Sequence, residues 1–507
     1  MRITSTTLYP YLCSLFLAFA SSVHATDYYV ACNTDTPSGD GSQTSPWTSL
    51  DQVNANALAP GDNLLFIRGY TCTGTLQPIG EGSPENLITI GASGTGNLPI
   101  IDGNGEHNAV LLENMSNVTI QDLEITNATN PGTERNGIRV NLVDYGESQN
   151  ITLQNLTIHT VRGGDVKSLT GSAGILISVS GDKKASWYDN LQILNNKIYD
   201  VDREGIYFKS LWNKRPEVGT QDTIGVGPWT PSTGVIVRGN HLSSIAGDGI
   251  KVDTTQGAII DGNTVAGFQL RSKQHNAGIW TFNTNDTLVE NNEVSGGGNS
   301  LDGMSFDADG GSINTIFQYN YSHNNVGGLL LICPYSGAVT NGTVMRYNLS
   351  YNDKTRLFQV CAGSINNTKI YNNTIWNDGD EKVMFFQNDK AVNVAIEWAN
   401  NIVQNNGPEM AIAKNSNQAL SFYNNNFIGV QTPDANPDGQ IHPGAMSIDP
   451  HFVGVSPKDV NGFKVCKDSP IIAQGKIISD NGGRDYYQSP VSATTPPNIG
   501  AYEGSGI

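Results

Sequence analysis

Three aspartates stand within the eight residues DGMSFDAD, at Asp302, Asp307 and Asp309. Paired carboxyls can cut a glycosidic bond. One protonates the leaving oxygen, while the other attacks the sugar carbon or activates water. Asp307 and Asp309, two residues apart on an extended chain, lie about 6.5 Å apart at the backbone. With their carboxyls nearer than that they suit the retaining geometry of about 5–5.5 Å. Asp253, in DGIKVDT, is expected two repeats away at the position matching Asp307, about 9–10 Å off, which points instead to an inverting pair. Like charges this close raise at least one pKa and so supply the protonated acid. The competing role for Asp302 and Asp309 is in turns.

The same region offers a second chemistry. β-Elimination on a uronate needs a base, for which Lys251, Lys209 and Arg271 are candidates. It also needs the carboxylate neutralised, and Asp248, Asp253, Asp302, Asp307 and Asp309 supply oxygen ligands for Ca²⁺. Hydrolysis requires no cofactor, and it is the first expectation. A third reading, a glycan-binding surface protein, needs aromatic platforms but no tuned acid pair.

Such residues must be held by regular elements, and internal repetition supplies them. An Asn followed two residues later by an apolar or small residue recurs at Asn196, Asn240, Asn263, Asn292, Asn320, Asn348, Asn373, Asn400 and Asn425. A second marker keeps phase with it: NGIRV at 136–140, AGILI at 173–177, EGIYF at 204–208, DGIKV at 248–252, AGIWT at 277–281, DGMSF at 302–306 and GGLLL at 327–331. Each reads as a short alternating strand after a Gly turn. No helical stretch separates these strands. Coils of about 25 residues that stack their apolar faces give an all-β, right-handed parallel β-helix, with the Asn side chains bonded from coil to coil.

Alternation then sorts the faces. Ile250, Val252, Ile279, Met304 and Phe306 point to the core. Arg139, Tyr207, Lys209, Lys251, Asp253, Trp280, Phe282, Ser305 and Asp307 point outward. Exposed rings stack on sugar C–H faces while polar groups grip hydroxyls. Trp280, Phe282, Tyr207, Lys209 and Arg139 are therefore candidate substrate-binding residues, with Arg271, Glu293 and His323 beside them. The alternative is that loops cover Trp280 and Phe282. His323 also fits a turn or core edge.

The repeats over roughly 100–430, the segment 278–333 and the ending IDPHFVG, DSPIIAQG and IGAYE resemble the pectate-lyase-like superfamily of secreted right-handed parallel β-helix proteins. The resemblance implies a carbohydrate-active protein acting on a polysaccharide or oligosaccharide. It gives lyases more weight than the acid cluster does.

The organisation read from the sequence is a signal peptide at 1–25, an N-terminal cap with first strands at 26–105, the β-helix at 106–430 and a C-terminal capping segment at 431–507. Arg2, an apolar stretch and Val-His-Ala before residue 26 imply export to the periplasm or the medium. Net charge is −18, opposite to the basic balance of a nucleic-acid binder. No later stretch is apolar enough to span a bilayer, and a monomer is expected. Residues 131–275 carry a net +1 and the rest −19, a contrast that suits either an acidic glycan or an ordinary solvated surface. Cys32 and Cys72 are candidates to pair. Cys333 and Cys361 occupy equivalent places in successive coils, as a disulfide or as two stacked thiols, and Cys466 is left over. Walker, zinc-finger and G-x-S-x-G motifs are absent.

Overall fold

The computed structural model describes residues 25–32, 39–129, 132–219, 225–413, 418–455 and 459–507. All but the last residue of the expected signal peptide falls outside them. Among the described residues no helix is long and apolar enough to cross a membrane.

The chain winds as a parallel β-helix with three faces. Asn108–Glu113, Val118–Gln121 and Glu124–Asn127 make one coil, and each pairs in parallel with its counterpart in the next. The first face runs on through Asn136–Val143, Ala173–Ser180, Glu204–Ser210, Ile250–Asp253, Asn276–Phe282, Asp302–Asp309 and Gly328–Cys333. Among the described residues the third face is a sheet of 13 strands. In the last coils two long strands, Arg356–Tyr371 and Met384–Ala399, bend from the first face into the second. Ile138, Ile175, Ile206, Ile250, Ile279, Phe306 and Leu330 stack in one buried core, as alternation requires.

An Asn ladder runs through eight coil-to-coil steps from Asn196 to Asn425. At each step one amide oxygen accepts both the main-chain and the side-chain N–H of the preceding Asn. One member differs from expectation: the rung is Asn401, and Asn400 sits just before it. The Asn-x-apolar pattern fits both residues, but the register pairs Thr374 with Ile402 and so aligns Asn373 with Asn401. The residue before each rung takes a left-handed φ. Gly239 and Gly262 do this freely, whereas Tyr319 and Tyr347 are held there against their preference.

Stacking starts earlier than residue 106. Asp27–Val30, Asn63–Ile67 and Ile88–Ser93 already belong to the second face. A short helix, Leu50–Ala55, capped by Ser49, buries Leu50 and Val53 in the core at this end. Cys32 is bonded to Cys72 and Cys333 to Cys361, while Cys466 is a free thiol. At the other end only part of the 431–507 segment caps the coils. Asn436 bonds Phe422, and Met446 bridges Asn426. The remainder turns back along the side of the solenoid. There Lys476 meets Asn400, Asp480 meets Tyr371 and Arg346, and Tyr319 reaches Arg484.

Candidate active site

Ladder pairing places one outward row along the first face: Arg139, Leu176, Tyr207, Lys251, Trp280, Asp307, Leu331, Gln359 and Gln387. Lys251, not Asp253, is therefore the register partner of Asp307 two strands away. Asp253 aligns with Phe282, one row over. The expected Asp253/Asp307 pair is not formed. Asp253 is instead bound by Lys251 Nζ at 2.8 Å and Thr254 Oγ1 at 2.6 Å.

The aromatic platform is also covered. Trp280 is only 6% exposed. It clusters with Phe282, Tyr207, Val218 and Tyr335, outside the coil core. Alternation holds at Trp280, Phe282 and Tyr207, whereas Ser305, expected outward, bonds Ser322 and Asn325 inside the coil because the strand slips opposite Asn276 and Ala277. The insertion after Ser210 folds over the face. It is fastened by Arg215 to Asn285 (2.8 Å) and to the Gly311 carbonyl, and by Trp229 to the Asn283 carbonyl. Lys251 is buried among three rings, at 4.6 Å from Tyr207, 4.8 Å from Trp280 and 5.3 Å from Phe282. That placement removes it as a solvent-reaching base. Lys209 sits 6.0 Å from the Phe282 ring.

Other candidates lie elsewhere. Arg139 donates to Ser178, and Arg271 to Asp202 and the Val201 carbonyl. Glu293 and His323 pair at 3.1 Å on the third face, on another flank of the molecule. Of the five aspartates proposed for Ca²⁺, Asp253 is held apart by Lys251, and Asp248 is paired with Lys167. Among the described residues no three His, Cys, Asp or Glu side chains are grouped to hold a metal ion.

What the fold does bring together is a cavity of about 410 Å³ on the first face, lined by Asp302, Asp307, Asp309, Asp248 and Trp280. Its walls add residues that sequence reasoning missed: Lys167, His275, Tyr335, Gln359, Asp389 and the Cys333–Cys361 bridge. Gln359 could have been found by following the outward row, and Asp389 by following the row of Cys361. Nothing local marks Lys167 and His275, which come from inter-coil loops.

Within the cavity the carboxyls are strongly coupled. Burial, then the neighbouring Asp309 and Asp302, push Asp307 well above the usual carboxylate range. Burial also lifts Asp309, to about 7, although the Tyr335 hydroxyl and Asp307 both donate to it. The pair thus shares a proton that rests on Asp307 and leaves Asp309 as the acceptor. Asp307 Oδ1 is buried without a partner. Asp302, whose side chain is 22% exposed, meets His275 Nδ1 at 3.0 Å, and that bond raises the imidazole pKa.

This arrangement costs stability at neutral pH. A carboxyl whose folded pKa is raised stabilises the fold only at low pH. The benefit fades as pH climbs from the unfolded value, near 4, through the folded one. Asp307→Asn is accordingly expected to gain about 1 kcal/mol at pH 7, with the gain shrinking toward pH 4. Urea melts at the two pH values check it.

A family model described as "Right handed beta helix region" matches residues 173–355. The fold is a right-handed parallel β-helix. The chain is 25% identical to a lacto-N-biosidase of Bifidobacterium longum over 95% of its own length, and spans about a third of that relative, 36%. Among solved structures, a GH136 lacto-N-biosidase from Eubacterium ramulus superposes with a TM-score of 0.60 at 24% identity, covering 72% of this chain and 68% of that one. XylC in complex with xylose gives 0.55 at 10% identity, covering 94% and 98%. At these identities the structural likenesses speak for the fold alone.

Proposed function

We propose that the protein is an exported glycoside hydrolase that cleaves an oligosaccharide bound in the first-face cavity. The proton-sharing Asp307–Asp309 pair carries this reading. Asp309 receives hydrogen bonds from Tyr335 and Asp307, so its free lone pairs can face a sugar carbon. Asp302 is more open and backed by His275, whose pKa that contact raises, so the imidazole is the second proton reserve of the site. In the first step an Asp309 oxygen bonds to the anomeric carbon as the glycosidic C–O bond breaks. The leaving oxygen takes its proton through Asp302, which His275 resupplies. In the second step water attacks the same carbon, its proton returns through Asp302 to His275, and Asp309 is freed. Configuration is retained. The relation to lacto-N-biosidases supports glycosides with a lacto-N-biosyl unit as the first substrates to try.

The test is a panel of aryl and oligosaccharide glycosides, with the first-formed anomer read by proton NMR. Retention is expected. Inversion would make Asp309 a base acting through water, and an ultraviolet-absorbing unsaturated product would replace hydrolysis by elimination.

The pH profile has a fixed sign. Asp309 must be ionised, so kcat/KM should fall as pH drops below about 7. It should fall again at high pH, once His275, its pKa raised by the bond to Asp302, loses its proton. Rate–pH measurements below saturation check both limbs.

A further inference from the structure

We infer that Lys167 is a positioning residue of this cavity, carried there by a strap so that a fixed ammonium faces the carboxyl cluster. The inference rests on the hydrolase reading and deepens it. Residues 162–172 precede the strand Ala173–Ser180, four strands along the first face from Asp302–Asp309. The Lys167 ammonium nonetheless lines the same cavity as those aspartates.

The strap is tied at each step. Arg162 binds Asp200 at 2.5 Å and Asp202 at 3.3 Å. Asp165 accepts from Ser272 Oγ at 2.7 Å and the Lys273 main chain at 2.9 Å, and pairs ionically with Arg203 at 2.9 Å. Lys167 Nζ then pairs ionically with Asp248 Oδ2 at 2.9 Å, donates to the His275 carbonyl, and lies 4.9 Å from the centre of the Trp280 ring. A strap that only covered Trp280 would be served by an apolar side chain, without the cost of partly burying a charge.

Charge balance gives the reason for a lysine. Five aspartates, at 248, 302, 307, 309 and 389, line the cavity. Among its described lining residues Lys167 is the one lysine or arginine. On its own side Lys167 faces Asp248, Glu204, Arg203 and Tyr207. Burial works against its charge, but Asp248 and Glu204 outweigh that, and its pKa rises. Across the cavity stand His275, Asp302, Asp307 and Asp309, and the ammonium draws the last two downward. Lys167 thereby keeps Asp309 ionised at a pH where the crowded cluster would otherwise hold its proton.

The experiment is the kcat/KM–pH profile of Lys167→Met. Its acidic limb should move up by about one pH unit, with Lys167→Arg restoring it. Asp165→Asn, which frees the strap without entering the cavity, should move it the same way by less. If Lys167→Met does not fold, Lys167→Met/Asp248→Asn leaves no unpaired charge and should show the same shift. An unmoved limb in a folded variant overturns the inference. A wild-type protein that cleaves no glycoside defeats the hydrolase reading instead. Carbon-13 titration of the aspartate carboxyls then decides the role of Lys167, with an upward shift of Asp309 supporting it and an unchanged value refuting it.

Discussion

Asp309→Asn is expected to lower kcat/KM by about 10³-fold or more, roughly 4 kcal/mol of transition-state stabilisation. The asparagine keeps an oxygen that can accept from Tyr335, so the cavity keeps its shape and the melting temperature should hardly change. What disappears is the anion, and an amide oxygen forms no stable glycosyl intermediate. Asp302→Asn separates the two roles. A proton for the leaving oxygen matters most when that oxygen is a poor leaving group. The loss should thus approach that of Asp309→Asn on a natural oligosaccharide and be much smaller on a nitrophenyl glycoside. Equal losses on both substrates would make Asp302 a binding group, and a folded Asp309→Asn protein with wild-type turnover would remove the carboxyl pair from the mechanism.

Where sequence reasoning failed shows which physics acts over distance. The period of the Asn rungs and the Gly-apolar strands carried the fold. Alternation separated Ile279 and Phe306 from Trp280 and Asp307 correctly, because a strand leaves no other choice. Two things were not local. Register was misjudged by two residues at Asp253, since DGIKVDT and DGMSFDAD align differently once the strand 302–309 absorbs an irregularity opposite Asn276 and Ala277. Burial was misjudged at Trp280, Phe282 and Tyr207, since an outward side chain is exposed only if no loop returns over it. Here the insertion carrying Arg215, Val218 and Trp229 does return. Lys167 and His275 were invisible for the same reason. Their partners, Asp248 and Asp302, lie 81 and 27 residues away along the chain, and only the winding makes them neighbours.

Asn320→Ala should cost about 4 kcal/mol, and the reason lies in how many groups one amide serves. Its oxygen accepts from the Asn292 main chain at 2.9 Å and the Asn292 side chain at 3.0 Å. Its nitrogen donates to the Val289 carbonyl and to Asn348 Oδ1, both at 2.9 Å. All of these atoms are buried. Alanine leaves the Asn292 main-chain N–H with no acceptor and takes one donor from Val289, at about 1–3 kcal/mol for each buried group left unmade. Water cannot replace the amide inside a packed coil. The main-chain N–H of residue 320 still reaches Asn348, so the ladder breaks on the Asn292 side and holds on the other. Hydrogen exchange should therefore speed up first at Asn292 and Glu293, and more slowly beyond Asn348. Urea unfolding of Asn320→Ala beside Asn320→Asp separates the two sides. Aspartate keeps the acceptor for Asn292 but turns an oxygen toward the Val289 carbonyl and Asn348 Oδ1. It should cost at least as much at neutral pH, and less at low pH where it is protonated. An alanine variant as stable as wild type would mean the rungs merely follow the coil, and that the apolar stack alone sets its register.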